Sequence, residues 1–533
     1  MENAERRDAN EDWDHVTDVV IVGYGYAGAI AAIEAHDAGA RALILEKMPY
    51  PGGISITSGG NVRTAMSADD AFAYLVATNA GTTPDEVLRA LAEGLTEMPA
   101  YFEKLAETSG AALDLRQADG NYPLPGTETF GYVSVADVPG FDAAATYPNV
   151  SSYVPIHRAA GVRLFRVIED NIAKREIPVW LGAPVARLIR DASGAVIGVS
   201  AERGGRKIRV RARRAVILAC GGFEANEQMK MQFWQEKPVL NAAFTGNTGD
   251  GILMAQEAGA ALWHMWHYHG VYGFKHPDPD YPVGIRPKRL PDWIPGEPAR
   301  KDVKMPWIVL DRTGRRYMNE YPPYMQDTSA RPMAFFDTVT QTYPRIPSWM
   351  IVDEPGRATY PLVSPTFNDD RLRFEWSEAS LRELEMRIFA RAETIGDLAR
   401  GLGVPETALR ETLDKWNNSC SKETDAAFGR PGTSMVKIET PPYYYAQIWP
   451  ICSNTHGGPV HDAGQRVLNG FDEAIPRLFA AGELGGVFGH LYISGGNLAE
   501  CFIGGRIAGQ NAAALNAAGD ERDHPSVEAR LDA

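Results

Sequence analysis

The chain has 533 residues, 44% of them hydrophobic and 23% charged, with a formal net charge of −15. That length supports a large core in two domains, or in one domain with a big insertion. The acidic balance argues against a nucleic-acid partner, because like charge repels a phosphate backbone. The cysteines Cys220, Cys420, Cys452 and Cys501 form no C-x-x-C pair, so neither a zinc site nor a disulfide framework is expected. The opening stretch Met1–Asp18 is polar and acidic, and no apolar run reaches the ~20 residues of a membrane helix. A soluble, cytoplasmic protein without membrane insertion is expected.

The first strong pattern runs from Asp18 to Lys47: an apolar strand, a glycine turn, an alanine-rich helix and a second apolar strand. Gly23, Gly25 and Gly28 complete a G-x-G-x-x-G turn around Tyr26 and Ala27. The first glycine permits the turn, the second lets backbone approach a pyrophosphate at the helix N-terminus, and the third allows close helix–strand packing. Glu46, followed by Lys47, ends the second strand where a carboxylate can accept ribose hydroxyls. The next loop, "PGGISITSGGN", supplies Gly52, Gly53, Ser55, Ser58, Gly59 and Gly60, whose N–H and hydroxyl groups can wrap an extended cofactor. A nicotinamide domain does not need such a loop.

Farther along, the basic run "RGGRKIRVRARR" alternates like an amphipathic strand pair and reads as a solvated sheet face, not an anion patch. "RRAVILACGGFEAN" and, much later, "IPRLFAAGELGG" are apolar strands ending in small residues. Several strand ends converging on one ligand suit a large dinucleotide across a parallel sheet. Between these motifs, residues 263–350 are crowded with aromatics and prolines, and Glu378–Lys415 turns helical. His264, His267 and His269 have tempting spacing for a metal, but no acidic or cysteine partner adjoins them. They read as a packed aromatic segment, and no metal is expected.

The ordered set "GGISITSGG", "AVILACGGF", "NTGDG" and "LFAAGELGG…GGN…GGRIAG" resembles the fumarate reductase flavoprotein superfamily, which includes 3-ketosteroid dehydrogenases. The resemblance covers roughly residues 15–262 and 440–515. It implies an α/β fold: a Rossmann-like FAD-binding domain with an inserted α+β substrate-capping domain. The implied parts are 15–262 and 441–520 for FAD, 263–440 for the cap, and tails at 1–14 and 521–533. It also implies a cofactor shell of Val185, Cys220, Gly221, Gly222, Asn247, Gly249, Asp250, His456, Gly457, Gly482, Glu483, Gly496, Asn497 and Leu498. The loop "GGISITSGG" has no histidine, so the FAD is expected to be non-covalent.

The same resemblance points to the chemistry. Fumarate reductases carry an arginine before their Gly-Gly-Asn; here that stretch is "LYISGGN". Tyr492 and Ser494 are instead similar to the Tyr-x-Ser-Gly stretch of 3-ketosteroid Δ4-dehydrogenases, whose tyrosine removes a proton beside a ketone while the serine assists. "RRYMNEYPPY" resembles another superfamily signature and adds Tyr321 and Tyr324 as candidate donors to the carbonyl; packing is the competing reading for each. Arg331 is a candidate counterpart of the arginine acid of fumarate reductases, and Arg63, Arg158 and Arg286 are further cations that could reach a substrate. The expected enzyme is an FAD-dependent oxidoreductase acting on CH–CH bonds. It would form a C=C bond next to the carbonyl of a small, apolar, steroid-like or smaller ketone. The alternative is an ene-reductase of an enone or enoate.

Overall fold

Val19, Val20, Ile21 and Val22 are buried on both faces, as a central strand of a parallel sheet requires. They belong to β1 (His15–Val22), which leads through α1 (Tyr26–Asp37) into the parallel strand β2 (Ala42–Leu45), with Val22 opposite Leu45. The basic run forms a hairpin of β3 (Val196–Arg203) and β4 (Arg206–Leu218), with Arg203 opposite Arg206. β4 then lies parallel to β1 on the side away from β2, with Leu218 opposite Val22. Neighbours thus leave β1 in both directions, and a crevice opens beyond its C-terminal end.

The chain next builds a second sheet. β5 (Tyr268–Lys275), β6 (Ser348–Asp353) and β7 (Tyr443–Thr455) are antiparallel, with β7 between the other two. This sheet runs through Thr455, past the expected boundary at 440. Trp307 and Tyr272 are fully buried in its core. Arg316 and Glu320, from the "RRYMNE" signature, pair at 2.7 Å in a buried cluster with Asp425 and Arg430. The expected helical stretch contains Ile395–Leu402 and Glu406–Ser421, with Gly403 in left-handed conformation at the first helix's end.

The chain returns to the first sheet with β8 (Ala474–Ala480), parallel to β4, and ends in α2 (Gly496–Ala514). α2 packs on α1 at backbone distance: a Cβ on Gly509 would lie 2.4 Å from the Ala31 carbonyl oxygen. The molecule is therefore α/β, with an FAD-type parallel sheet and an inserted cap. The computed structural model describes residues 13–147, 160–281, 283–297, 303–364 and 380–517. Arg158, the tail 521–533 and most of the tail 1–14 lie outside the described residues. No helix among the described residues is long and apolar enough to cross a membrane.

Candidate active site

The crevice beyond β1 is an open cleft of about 720 Å³. Gly23 makes it possible: its φ is +106°, and a Cβ there would sit 2.4 Å from the Ala219 carbonyl oxygen. Gly25 is extended and caps α1 without a side chain, leaving the helix N-terminus open to the cleft. Gly28 packs instead of lining the cleft; its Cβ would lie 2.0 Å from the Gly23 carbonyl oxygen. Ser55 Oγ accepts from the Tyr26 N–H at 3.0 Å, tying the 3-10 turn Gly53–Thr57 to the start of α1, where Ala27 also faces the cleft. Gly52 precedes that turn in left-handed conformation, and Ser58 Oγ accepts from the Gly60 N–H, one residue past Gly59.

Glu46 is held at the mouth of β2, accepting the Tyr24 and Met48 N–H groups at 2.8 Å each. Burial raises its pKa, and these N–H groups act in the opposite direction. Lys47 donates to Asp250 and Thr248, both at 2.7 Å, next to Gly249 at the cap of helix Asp250–Ala258. Val185, Cys220, Gly221, Asn247 and Glu483 line the far side. There Asn247 donates to Glu224 at 2.8 Å and to Glu483 at 3.1 Å, while Thr455 N–H donates to Glu483. Burial pushes the Glu483 carboxyl up to about 7 against the hydrogen bonds it accepts, and burial together with the Glu483 charge holds Glu224 well above its usual range. Gly222 lies between them, its Cβ site 2.7 Å from Glu483. Gly482 abuts Ala27 on the other side. An open helix N-terminus, a ribose-ready carboxylate and a glycine-lined far wall fit an extended dinucleotide.

α2 begins at Gly496, Asn497 and Leu498, directly after Gly495 in left-handed conformation. The Tyr492 hydroxyl oxygen accepts the Gly495 N–H at 3.1 Å and the Asn497 N–H. Burial raises the Tyr492 pKa, and both N–H donors oppose that rise. Around its ring stand His269 at 4.2 Å between centroids, Phe488 at 5.3 Å, His456 at 5.6 Å and Tyr324 at 6.4 Å. The structure parts Tyr324 from Tyr321. Tyr324 lies beside Tyr492, and its hydroxyl has no hydrogen bond among the described residues. Tyr321 is fully buried in the cap core, its hydroxyl on the Pro291 carbonyl.

The cations divide in the same way. Arg63 is fully buried and donates to the Ser494 carbonyl at 2.8 Å and to the Tyr132 hydroxyl at 2.6 Å; it anchors the loop. Ser494 N–H meets Asn121 at 2.6 Å. Arg331 donates to the His490 carbonyl at 2.5 Å and to His267 at 3.0 Å. Arg286 donates to Ser453 at 2.5 Å, and burial pulls its pKa down to about 9. Arg289 differs. Burial lowers its pKa, but the phenols of Tyr324, Tyr132 and Tyr492 and the Asp292 carboxylate outweigh that and raise it. Its side chain is exposed, as that of a group on a cleft wall is. His456 is buried, stacks on His267 at 4.6 Å and has an Nε2 with no partner among the described residues, with Gly457 packed on Met265.

Sequence reasoning passed over Arg289, Asp327, the place of His269 beside Tyr492 and that of His267 beside Asp327. No local pattern marks them; they meet only when the cap folds onto the loop before α2.

The family described as "FAD binding domain" matches residues 18–498. The chain is 27% identical to a digoxin reductase of Eggerthella lenta over 95% of this chain and 89% of that protein. It is 26% identical to a 3-oxosteroid 1-dehydrogenase of Mycolicibacterium smegmatis over 94% of this chain and 98% of that protein. Its fold matches the 3-ketosteroid Δ1-dehydrogenase of Sterolibacterium denitrificans, solved with 1,4-androstadiene-3,17-dione. That match has a TM-score of 0.77 and 24% identity, covering 94% of this chain and all of the other.

Proposed function

The chain belongs to the FAD binding domain family and is an FAD-dependent oxidoreductase acting on CH–CH bonds, and we propose that it forms a C=C bond next to the carbonyl of a neutral, mostly apolar cyclic ketone, steroid-like or smaller. The observation that carries this reading is the Tyr492 oxygen, fed by two backbone N–H groups at the start of α2, with the Tyr324 hydroxyl, unbonded among the described residues, beside it. The 26% identical relative named for 3-oxosteroid dehydrogenation agrees with it.

FAD would be held non-covalently along Gly25, Glu46, Gly221 and Glu483, where it would supply the acceptor for the β-hydride. The chain's own groups handle the α-proton. The Gly495 and Asn497 N–H groups stabilise Tyr492 as the phenolate where burial alone would oppose it, and its Oη takes the α-proton to become the neutral phenol. Tyr324 donates to the carbonyl oxygen, and the field of Arg289 favours the charge that develops there. Ser494 assists from the same loop. The cap and the aromatic rings around Tyr492 exclude water, which strengthens each of these interactions.

A second reading is reduction of an alkene that carries a carboxylate, and Arg289 is the observation that favours it. An anaerobic screen separates the two. Saturated cyclic ketones should bleach the flavin, and enones should recolour the reduced protein. Fumarate turnover comparable to that of the best ketone or enone would contradict the neutral-substrate reading.

A further inference from the structure

Asp327 enters this site from the short helix Met325–Thr328, and its side chain is fully buried. Its Oδ2 accepts the Tyr122 hydroxyl at 2.6 Å and the Tyr492 backbone N–H at 3.1 Å. Its Oδ1 faces His269 Nδ1 at 3.7 Å and His267 Nε2 at 4.0 Å, and Arg331 Nη2 reaches both oxygens at 3.4 and 3.5 Å. Burial would raise the pKa of this carboxyl. His269, Arg331 and His267 overcome that and hold it well below the usual carboxylate range. Burial lowers the pKa of both histidines, His267 to about 4, so Arg331 is the cation that matches the charge near neutral pH.

One carboxylate therefore joins the cap to the loop before α2 and meets one phenol and the backbone of another. We propose that Asp327 is the positioning residue of the reaction: it sets the Tyr492 oxygen beneath the Gly495 and Asn497 N–H groups and holds the Tyr122 proton away from the substrate, leaving Tyr324 and Tyr492 as the phenols that act. This rests on the ketone reading above. The Tyr122 hydroxyl has one proton, and Asp327 receives it at charge-assisted distance. The adjacent negative charge and burial both oppose a Tyr122 phenolate. Tyr492, whose backbone rather than hydroxyl meets Asp327, escapes that charge, and the Gly495 and Asn497 N–H groups oppose the effect of its burial.

The test uses the full-length FAD-loaded protein and the best substrate of the screen, measuring the limiting rate of flavin reduction and the substrate Kd separately. Asp327→Asn keeps the shape and one acceptor but removes the charge. It should lower the limiting rate about tenfold or more, with substrate Kd and FAD content within about threefold of wild type. Tyr122→Phe should stay within about threefold in rate and Kd, and the double variant should be no slower than Asp327→Asn alone. A wild-type rate in Asp327→Asn, or a Tyr122→Phe as slow as Tyr492→Phe, would overturn the proposal. If Asp327→Asn fails to retain FAD, Tyr122→Phe decides by the same threefold criterion. A Tyr492→Phe that is reduced at the wild-type rate defeats the underlying ketone reading instead, whatever Asp327 does.

Discussion

Gly23, Gly25 and Gly28, which shape the cofactor cleft, fall within one strand–turn–helix unit. The groups around Tyr492 are gathered from across the chain: Asn121 and Ser494, hydrogen-bonded at 2.6 Å, are 373 residues apart. The cleft's tolerances are set by backbone, as where a Cβ on Gly23 would lie 2.4 Å from the Ala219 carbonyl oxygen. Those of the tyrosine pocket are set by side chains such as Arg63 and Asp327, each serving several partners at once. A backbone-lined site has no means of yielding to an added side chain. A pocket held by many hydrogen bonds loses function in steps as they are removed.

The largest effect should come from the cleft. Gly25→Val extends a branched side chain from a position whose nearest neighbour is Ser55 Oγ at 3.0 Å, into the space a pyrophosphate needs. The purified variant should be folded by circular dichroism but colourless; flavin at the wild-type level would show that Gly25 does not border the cofactor. In the pocket, Arg63→Met should keep its FAD while losing roughly 2–4 kcal/mol of stability, since several part-buried acceptors and the buried Asn121 lose a donor at about 1–3 kcal/mol each when fully buried. Urea unfolding measures this, and a loss below about 1 kcal/mol would mean the loop before α2 does not depend on Arg63.

A smaller effect belongs to His267, whose pKa burial lowers from 6.5 to about 4, with Arg331 and His264 adding to the drop against the pull of Asp327. The unfolded chain takes up this proton first as pH falls. The stability tied to neutral His267 is therefore complete above pH 6.5 and lost as pH drops toward about 4. Relative to His267→Asn, wild type should lose up to about 3 kcal/mol across that window. Parallel stability curves for the two proteins would contradict this.

The same contrast governs what could be read from sequence. Glu46 is legible because strand, glycine turn, helix and second strand place it by counting residues, and the structure holds it on the Tyr24 N–H. The start of α2 is legible because the glycine pair Gly495–Gly496 stands directly at the head of the run that becomes helix. Tyr321 and Tyr324 are indistinguishable in "NEYPPY", since a three-residue offset does not say which ring faces the cap core and which faces Tyr492. Arg289 lies in "RPKRLPDW", where no local pattern shows which guanidinium finds a partner; Arg286 reaches Ser453, while Arg289 faces the phenols. Partner choice of this kind is decided by tertiary packing, and a propensity or a spacing carries no record of it.

The central claim is that Tyr492 carries the proton of the reaction. Its most direct test is the anaerobic reduction of the flavin by substrate in Tyr492→Phe, which removes one hydroxyl and leaves the ring contacts with His269 and Phe488 in place. The rate should fall by about 10²–10⁴-fold, with FAD content and substrate Kd unchanged. Flavin reduction at the wild-type rate would make Tyr492 a packing residue and contradict the account.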